Sequence, residues 1–132
     1  MPYLHLNLSL EPSPDTASKA AEILTRLTAE LLGKKPELTA VAITATPSER
    51  WFVGAQTLPP GQSSFYLDIK VTEGTNTKNE KARYVQAIFE SMTTLLGELA
   101  PASYVVIDEV HADAWGYSGQ TQEFRYIRGK PL

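Results

Sequence analysis

The chain has 132 residues, a formal net charge of -3 and no cysteine, and 42% of its residues are hydrophobic. These values are typical of one globular domain, residues 1–132, and they argue against disulfides, thiolate catalysis and a nucleic-acid-binding surface. With no membrane-length apolar run, no visible signal peptide and two distant histidines, we expect a cytoplasmic protein that contacts no membrane and holds no metal.

The opening MPYLHLNLSL predicts a strand that starts directly after a proline. Leu4, Leu6, Leu8 and Leu10 alternate with polar or aromatic residues, as in a strand with one buried face. A proline is tolerated at the first residue of a strand because it has no N–H to donate. A Met before a small residue is normally trimmed after synthesis, so we expect Pro2 to be the amino-terminal residue, with a free secondary amine.

A helix is predicted next, followed by a second strand. Ser13 is the expected N-cap and Pro14 the first helical residue, while Gly33 ends the helix. Its apolar stripe has helical spacing and consists of Ala17, Ala20, Leu24, Leu27 and Leu31. LTAVAIT is the predicted second strand, and the segment ends in WFVG.

The same plan follows a second time. FYLDIKV is the predicted strand, and Thr77 with Glu80 has the spacing of a capping box. The stop signals of the second helix are Gly97 and Pro101, and its apolar stripe consists of Val85, Ile88, Met92, Leu95 and Leu99. SYVVIDEV is the last predicted strand, and WGYSG closes the unit.

Landmarks of the two units recur 64 residues apart, as Gly33 with Gly97 and Trp51 with Trp115 show. The repeats are therefore assigned to residues 2–55 and 65–119, with a linker at 56–64. The predicted fold class is α/β (α+β), with two fused βαβ units that form a four-stranded mixed sheet and two helices on one face. We expect the other face to be apolar and covered by oligomerisation.

These features together resemble the tautomerase superfamily, whose βαβ unit starts with a catalytic amino-terminal proline. PYLHLNLSL and GKKPELTAVAI resemble the macrophage migration inhibitory factor group, and EGTNTKNEKA and VVIDEVHADAWGYSG are similar to the 4-oxalocrotonate tautomerase pattern. DAWGYSGQTQEF also resembles the tail of the malonate semialdehyde decarboxylase group. The resemblance implies a homotrimer whose active sites lie at subunit edges, with Pro2 at the floor and side chains from neighbouring subunits.

The resemblance also implies particular site residues. Lys34 holds the position of the lysine of the inhibitory-factor group and Tyr104 that of its tyrosine, whereas Val106 stands where that group has asparagine. The turn VTEGTNT lacks the arginine pair of the dehalogenase and decarboxylase groups. The carboxylate-binding arginines of the oxalocrotonate group are also replaced, at Pro12, Ala42, Thr75 or Asn76, and Tyr104.

Pro2 is the candidate acid/base. An α-amino group has a pKa of about 7.7–8.0, and burial together with a nearby cation such as Lys34 is expected to lower the pKa of this amine. Such a base removes a proton from the carbon next to a carbonyl and returns it elsewhere, so no cofactor is required. The structural alternative is a strand-initiating proline whose Met1 is retained.

Each of the other candidates has a structural alternative. Lys34 either binds a carboxylate or an enolate oxygen, or its charge complements the dipole at the helix C-terminus. Tyr104 either donates a hydrogen bond to a carbonyl oxygen or packs against a neighbour in its strand. Trp115, like Trp51, walls the cleft or seals a subunit interface. Lys70 is a weaker candidate for the pocket. The cations that either replace the missing arginines or are simply solvated are Arg50, Arg125 and Arg128.

These residues predict a cofactor-independent keto–enol tautomerase, an isomerase, of a small 2-oxo acid. A lyase or hydrolase of three-carbon acids, similar to malonate semialdehyde decarboxylase or to the dehalogenases, is the alternative enzyme class. A catalytically silent oligomeric binding protein is a third possibility, because a blocked Pro2 and the lost arginines would both fit it.

Overall fold

The computed structural model describes residues 2–131, whose elements occur twice in the same order. The first series comprises β1 (Tyr3–Leu8), α1 (Pro14–Leu32), β2 (Ala40–Ala45), β3 (Phe52–Val53) and β4 (Gln56–Thr57). The second comprises β5 (Phe65–Thr72), α2 (Lys78–Leu96), β6 (Tyr104–Val110), β7 (Gly116–Tyr117) and β8 (Gln120–Thr121), followed by α3 (Gln122–Arg128). From the helix onward, each element of the second series begins 64 residues after its counterpart, as 14 and 78 show.

The four long strands form one mixed sheet in the order β2-β1-β5-β6. Each βαβ unit contributes a parallel pair, and the two units join where β1 runs antiparallel to β5. The helices α1 and α2 pack side by side, and their buried residues share one core with alternate strand residues such as Leu4, Leu6, Leu67 and Ile69. The predicted fold class is confirmed. Within residues 2–131, no helix has both the length and the apolarity that crossing a membrane requires.

The predicted helix ends are confirmed by their caps. The Ser13 hydroxyl oxygen accepts the Thr16 backbone N–H at 3.1 Å, which satisfies a donor that the first turn leaves free. Gly33 ends α1 with φ of 69°, a left-handed conformation that glycine adopts without a Cβ penalty. Thr77 and Glu80 form the expected capping box at the start of α2.

The buried stripe of α2 differs by one position from the predicted one. Tyr84 is fully buried, whereas Val85 is 39% exposed. The Thr28 hydroxyl donates its proton to the Leu24 carbonyl at 2.7 Å, so the 2.8 Å contact between Thr28 and the Tyr84 hydroxyl has Tyr84 as the donor. Burial raises the pKa of Tyr84 to about 12, which keeps this donor protonated. A polar link therefore ties the two helices where only apolar contacts were expected.

The sheet face opposite the helices is mixed rather than apolar, and that expectation was wrong. The His5 ring contacts the Thr44 hydroxyl at 2.8 Å, and Thr44 donates to the Asn7 side chain. Tyrosines and Val106 are exposed among these polar groups, Tyr104 most of all at 58%. The strands alternate, so the residues between buried leucines are polar or aromatic and carry their own hydrogen bonds.

The tail forms a hairpin and a short third helix that were not predicted from the sequence. Ser118 and Gly119 both have positive φ, 52° and 79°, as in the two-residue turns that match strand twist. A Cβ at Gly116 would collide with the Gln120 carbonyl oxygen, so this strand position requires glycine. The WGYSG motif therefore contains the first strand and the turn of a tight hairpin. The helix α3 begins directly after the second strand, β8.

Candidate active site

Pro2 is buried at the start of β1. Its carbonyl accepts the Ala40 backbone N–H at 3.3 Å, which holds it against the beginning of β2. Pro2 therefore lies in a fixed, desolvated position at one end of the sheet. The expected removal of Met1 concerns a residue outside the described range.

Lys34 lies at the same end of the sheet as Pro2, because it follows the C-cap of α1 and precedes β2. Its Nζ donates to the Thr75 hydroxyl at 2.8 Å, and Thr75 donates in turn to the Thr72 carbonyl at 2.7 Å. Burial lowers the pKa of Lys34, although the charges of Glu80 and Glu109 partly oppose this effect. The ammonium is held in place by a neutral partner and is only partly solvated.

The two carboxylates near Lys34 are already engaged. Glu80 accepts the Thr77 backbone N–H at 2.8 Å, and this bond lowers the pKa of Glu80. Glu109 pairs with Lys81 at 2.6 Å, and this hydrogen bond lowers the pKa of Glu109. Among residues 2–131, Lys34 makes no ion pair of its own. Its charge therefore remains available to an anion that enters from solvent.

Two cavities share Lys34 and Gln122 as lining residues. One, of about 290 Å³, also contacts Leu38, Tyr117 and Arg125. The other, of about 590 Å³, extends along the turn after β5 to α3. Leu38 is two residues from Ala40, so the smaller cavity lies close to the Pro2 end of β1. Residues from the tail of the chain line both cavities.

Tyr104 lies at the opposite end of the sheet. It pairs with Tyr66, which pairs with Asn7, so it is five residues from Pro2 along the strand direction. At about 3.3 Å per residue the separation is about 16 Å. Tyr104 lines a separate cavity of about 570 Å³ together with Trp51. One chain therefore does not bring Tyr104 to Pro2.

Arg50 also lies away from Pro2, since it is exposed in a short 3-10 helix after β2 ends. Lys70 projects from the face opposite the helices, where its Nζ contacts Asp108 at 2.8 Å and Asp68 at 3.6 Å. The hydrogen bond to Asp108 raises the pKa of Lys70. The structure places Lys70 in an ion-pair cluster outside the Lys34 cavities.

Trp115 is at the Pro2 end, because it follows β6, whose last residue Val110 pairs with Thr72. Its carbonyl accepts the Gln122 backbone N–H at 2.7 Å, which positions α3. Of the residues predicted from the sequence, Pro2, Lys34 and Trp115 thus share one end of the sheet. Lys70 pairs with Tyr3 and so lies at this end too, but on the face opposite the helices, whereas Tyr104 and Arg50 are not brought there by the same chain.

Tyr117 and Thr75 were missed as site residues, and Arg125 was not distinguished from the other arginines. The Arg125 guanidinium carbon lies 3.8 Å from the centre of the Tyr117 ring, and its Nη2 donates to the Tyr117 carbonyl at 2.9 Å. The Ser-Gly dipeptide within WGYSG is a hairpin signal that would have placed Tyr117 beside the following helix. Arg128, one turn further along α3, stacks instead on Phe124.

A protein-family model described as Tautomerase enzyme matches residues 66–125. Residues 66–125 are therefore similar to the tautomerase family. The resemblance predicted from the sequence is confirmed, and the matched range contains the hairpin and most of the helix that line the Lys34 cavities. No curated protein matches the chain.

Solved structures share the tautomerase fold over nearly the whole chain. A wild-type fused 4-OT described as an asymmetric trimer is 17% identical, with a TM-score of 0.81 over 97% of this chain and 99% of that one. A macrophage migration inhibitory factor-like protein from Entamoeba histolytica is 18% identical, with a TM-score of 0.75 over 91% and 97%. A malonate semialdehyde decarboxylase inhibited by 3-bromopropiolate is 19% identical, with a TM-score of 0.76 over 98% and 99%. At these identities the likeness establishes the fold.

Proposed function

We propose that this protein is a cofactor-independent keto–enol tautomerase of a small 2-oxo acid, with Pro2 as the general acid/base after removal of Met1. The observation that carries the proposal is that Pro2 is buried at the same end of the sheet as the cation Lys34. Burial also lowers the pKa of Lys34. A buried amine near a cation is less basic than one in water, so a free Pro2 would be poised to exchange protons near neutral pH. The match of residues 66–125 to the tautomerase family model supports this assignment.

The reaction moves one proton between two atoms of the substrate. Unprotonated Pro2 nitrogen takes the proton from the enol oxygen or from the carbon next to the carbonyl, and returns it at the other atom. Lys34 holds the oxygen on which charge develops, and its bond to Thr75 fixes the ammonium before substrate enters. No oxidant, reductant or net proton is needed.

We further propose a homotrimer in which a neighbouring subunit supplies Tyr104. Within one chain Tyr104 lies about 16 Å from Pro2 along the strands, so it reaches a Pro2 site only from another copy. The exposed tyrosines of the open face offer a surface for such contacts. Fused 4-OT structures of the same fold are described as trimers, which supports this arrangement.

An ultraviolet assay of enol-to-ketone conversion tests the proposal. The enol of phenylpyruvate is mixed with Met1-free wild type or with Pro2→Ala, which retains a free amine of the primary type but loses the ring. We expect conversion by wild type and a large loss in the variant. Lys19→Met, on the exposed side of α1, is the matched surface control. Equal rates for wild type and Pro2→Ala would remove Pro2 from the mechanism.

Decarboxylation or dehalogenation of three-carbon acids is the second candidate. The tail sequence favours it, because DAWGYSGQTQEF resembles the tail of the malonate semialdehyde decarboxylase group. Glu73 and Thr75 oppose it, since they stand in the turn where those groups have paired arginines. Release of carbon dioxide or halide without tautomerisation would make this candidate the function.

A further inference from the structure

The smaller Lys34 cavity is lined by three cations and no acid. Lys34, Lys35 and Arg125 border a space of about 290 Å³, and the remaining described lining residues are neutral. Like charges that border one partly enclosed space repel one another. An anion that enters this cavity would relieve that repulsion.

The side chain of Arg125, which lines this cavity, is fixed in position by Tyr117. Its guanidinium stacks on the Tyr117 ring at 3.8 Å, and one nitrogen donates to the Tyr117 carbonyl at 2.9 Å. Its Nε is buried and has no hydrogen-bond partner among the described residues. A buried N–H without an acceptor is costly unless a ligand supplies one. Stacking on the Tyr117 ring also fixes the plane of the guanidinium group, so little side-chain entropy is lost when a ligand binds.

We infer that Arg125 binds the carboxylate of the substrate in this cavity, with Lys34 as the second cation. The inference rests on the proposed function for the identity of the substrate, and it assigns the residue that takes over from the arginines missing elsewhere in the chain. A planar guanidinium matches the two oxygens of a carboxylate, and charge-assisted bonds of this kind are stronger than neutral ones. Arg125 is therefore a substrate-binding residue that sets the preference for acids over neutral carbonyl compounds.

The test compares pyruvate with pyruvamide, in which a neutral amide of similar size replaces the charged carboxylate. Binding of each is measured by calorimetry to wild type, Arg125→Gln, Arg125→Lys and the control Arg128→Gln. Arg128 lies on the same helix and stacks on Phe124 at 5.6 Å, outside the cavity. Amide chemical shifts of isotopically labelled wild type locate the ligand without any substitution.

We expect wild type to bind pyruvate more tightly than pyruvamide. Arg125→Gln should weaken the pyruvate Kd by roughly tenfold or more, with a smaller loss for Arg125→Lys and none for Arg128→Gln. In wild type, the amides of Lys34, Tyr117 and Gln122 should shift on titration with pyruvate. If Arg125→Gln does not fold, Arg125→Lys and this shift map still decide the matter.

Equal pyruvate affinity in wild type and Arg125→Gln would overturn the inference, as would shifts confined to another part of the chain. Tighter binding of inorganic phosphate than of pyruvate at the same cavity would overturn the carboxylate assignment. Failure of the proposed function is distinguishable from failure of the inference. In that case wild type shows no enol conversion, although pyruvate binding still depends on Arg125. Enol conversion with an unchanged KM in Arg125→Gln would leave the proposed function intact and reject the inference.

Discussion

Lys34 and Thr75 come from different repeats of the chain and meet in a hydrogen bond of 2.8 Å between Nζ and the hydroxyl oxygen. The bond joins the loop after α1 to the turn after β5, at the sheet end where Pro2 is buried. A second link supports it, because the Asn76 side chain donates to the Leu32 carbonyl at 2.9 Å. The duplicated architecture thus builds the candidate site from both repeats rather than inside one.

Loss of Lys34 should reduce catalysis more than loss of its hydrogen-bond partner Thr75. We expect Lys34→Met to lower kcat/KM by roughly 10- to 100-fold, because a charged partner of the developing oxyanion is lost. Thr75→Val should cost less, since Lys34 keeps its charge and loses only its fixed position. Lys19→Met, which removes an exposed lysine paired with Asp15, is the control in the same steady-state assay. A larger effect of Thr75→Val than of Lys34→Met would contradict this ranking.

The proposed sharing of sites between subunits predicts complementation between two inactive variants. Pro2→Ala and Tyr104→Phe should each lose activity, yet trimers refolded from an equal mixture should contain intact sites with Pro2 from one chain and Tyr104 from its neighbour. Random assembly gives roughly a quarter of the wild-type number of such sites. Each variant refolded alone serves as the control. Absence of recovered activity in well-formed mixed trimers would place Tyr104 outside the Pro2 site.

The hydrogen bond from Tyr84 to Thr28 predicts that removing the acceptor destabilises the protein more than removing the donor. Tyr84→Phe removes the donor while Thr28 keeps its bond to Leu24, so we expect a loss of about 0.5–1.5 kcal/mol in unfolding free energy. Thr28→Val leaves the buried Tyr84 hydroxyl without an acceptor and should cost about 1–3 kcal/mol. Urea denaturation measures both, with the exposed Thr93→Val as control. A larger cost for Tyr84→Phe would mean that the donor assignment is wrong.

The capping box of α2 predicts an acid-dependent loss of stability. The Thr77 backbone N–H lowers the pKa of Glu80, so the bond stabilises the fold above the unfolded value of 4.5 and is lost as pH falls through the lower folded value. Wild type should therefore exceed Glu80→Gln in unfolding free energy at pH 7, and the difference should shrink on acidification. Denaturation curves from pH 7 to 3 measure it, with Glu90→Gln from the middle of α2 as control. A difference that stays constant over this range would contradict the prediction.

The sequence predicts those features that depend on local spacing. The 64-residue repeat, the strand alternation and the caps at Ser13, Gly33 and Thr77 are all encoded within a few residues of where they act. The exposed Val85 was placed in the core because helical phase alone does not say which neighbour the helix will meet. Tyr84 is buried instead because its hydroxyl finds Thr28 on the other helix.

The candidate site was only partly predictable, because it depends on strand register and on the tail. The register that places Tyr104 opposite Tyr66, far from Pro2, arises from pairing between distant strands. The short helix α3 lacks a long apolar stripe, so its position beside Lys34 was not foreseen. Three arginines looked equivalent in sequence, and only the stacking on Tyr117 distinguishes Arg125 from the others.

The central claim is that a free Pro2 amine is the acid/base, and removal of Met1 from a single preparation tests it most directly. Acylated by Met1, the proline nitrogen is an amide whose lone pair is delocalised into the carbonyl, so it accepts no proton near neutral pH. Protein that retains Met1 is assayed for enol conversion before and after treatment with a methionine aminopeptidase, while intact mass reports the trimmed fraction. We predict that activity appears in proportion to that fraction. Full activity in protein that is uniformly Met1-bearing would contradict the proline mechanism.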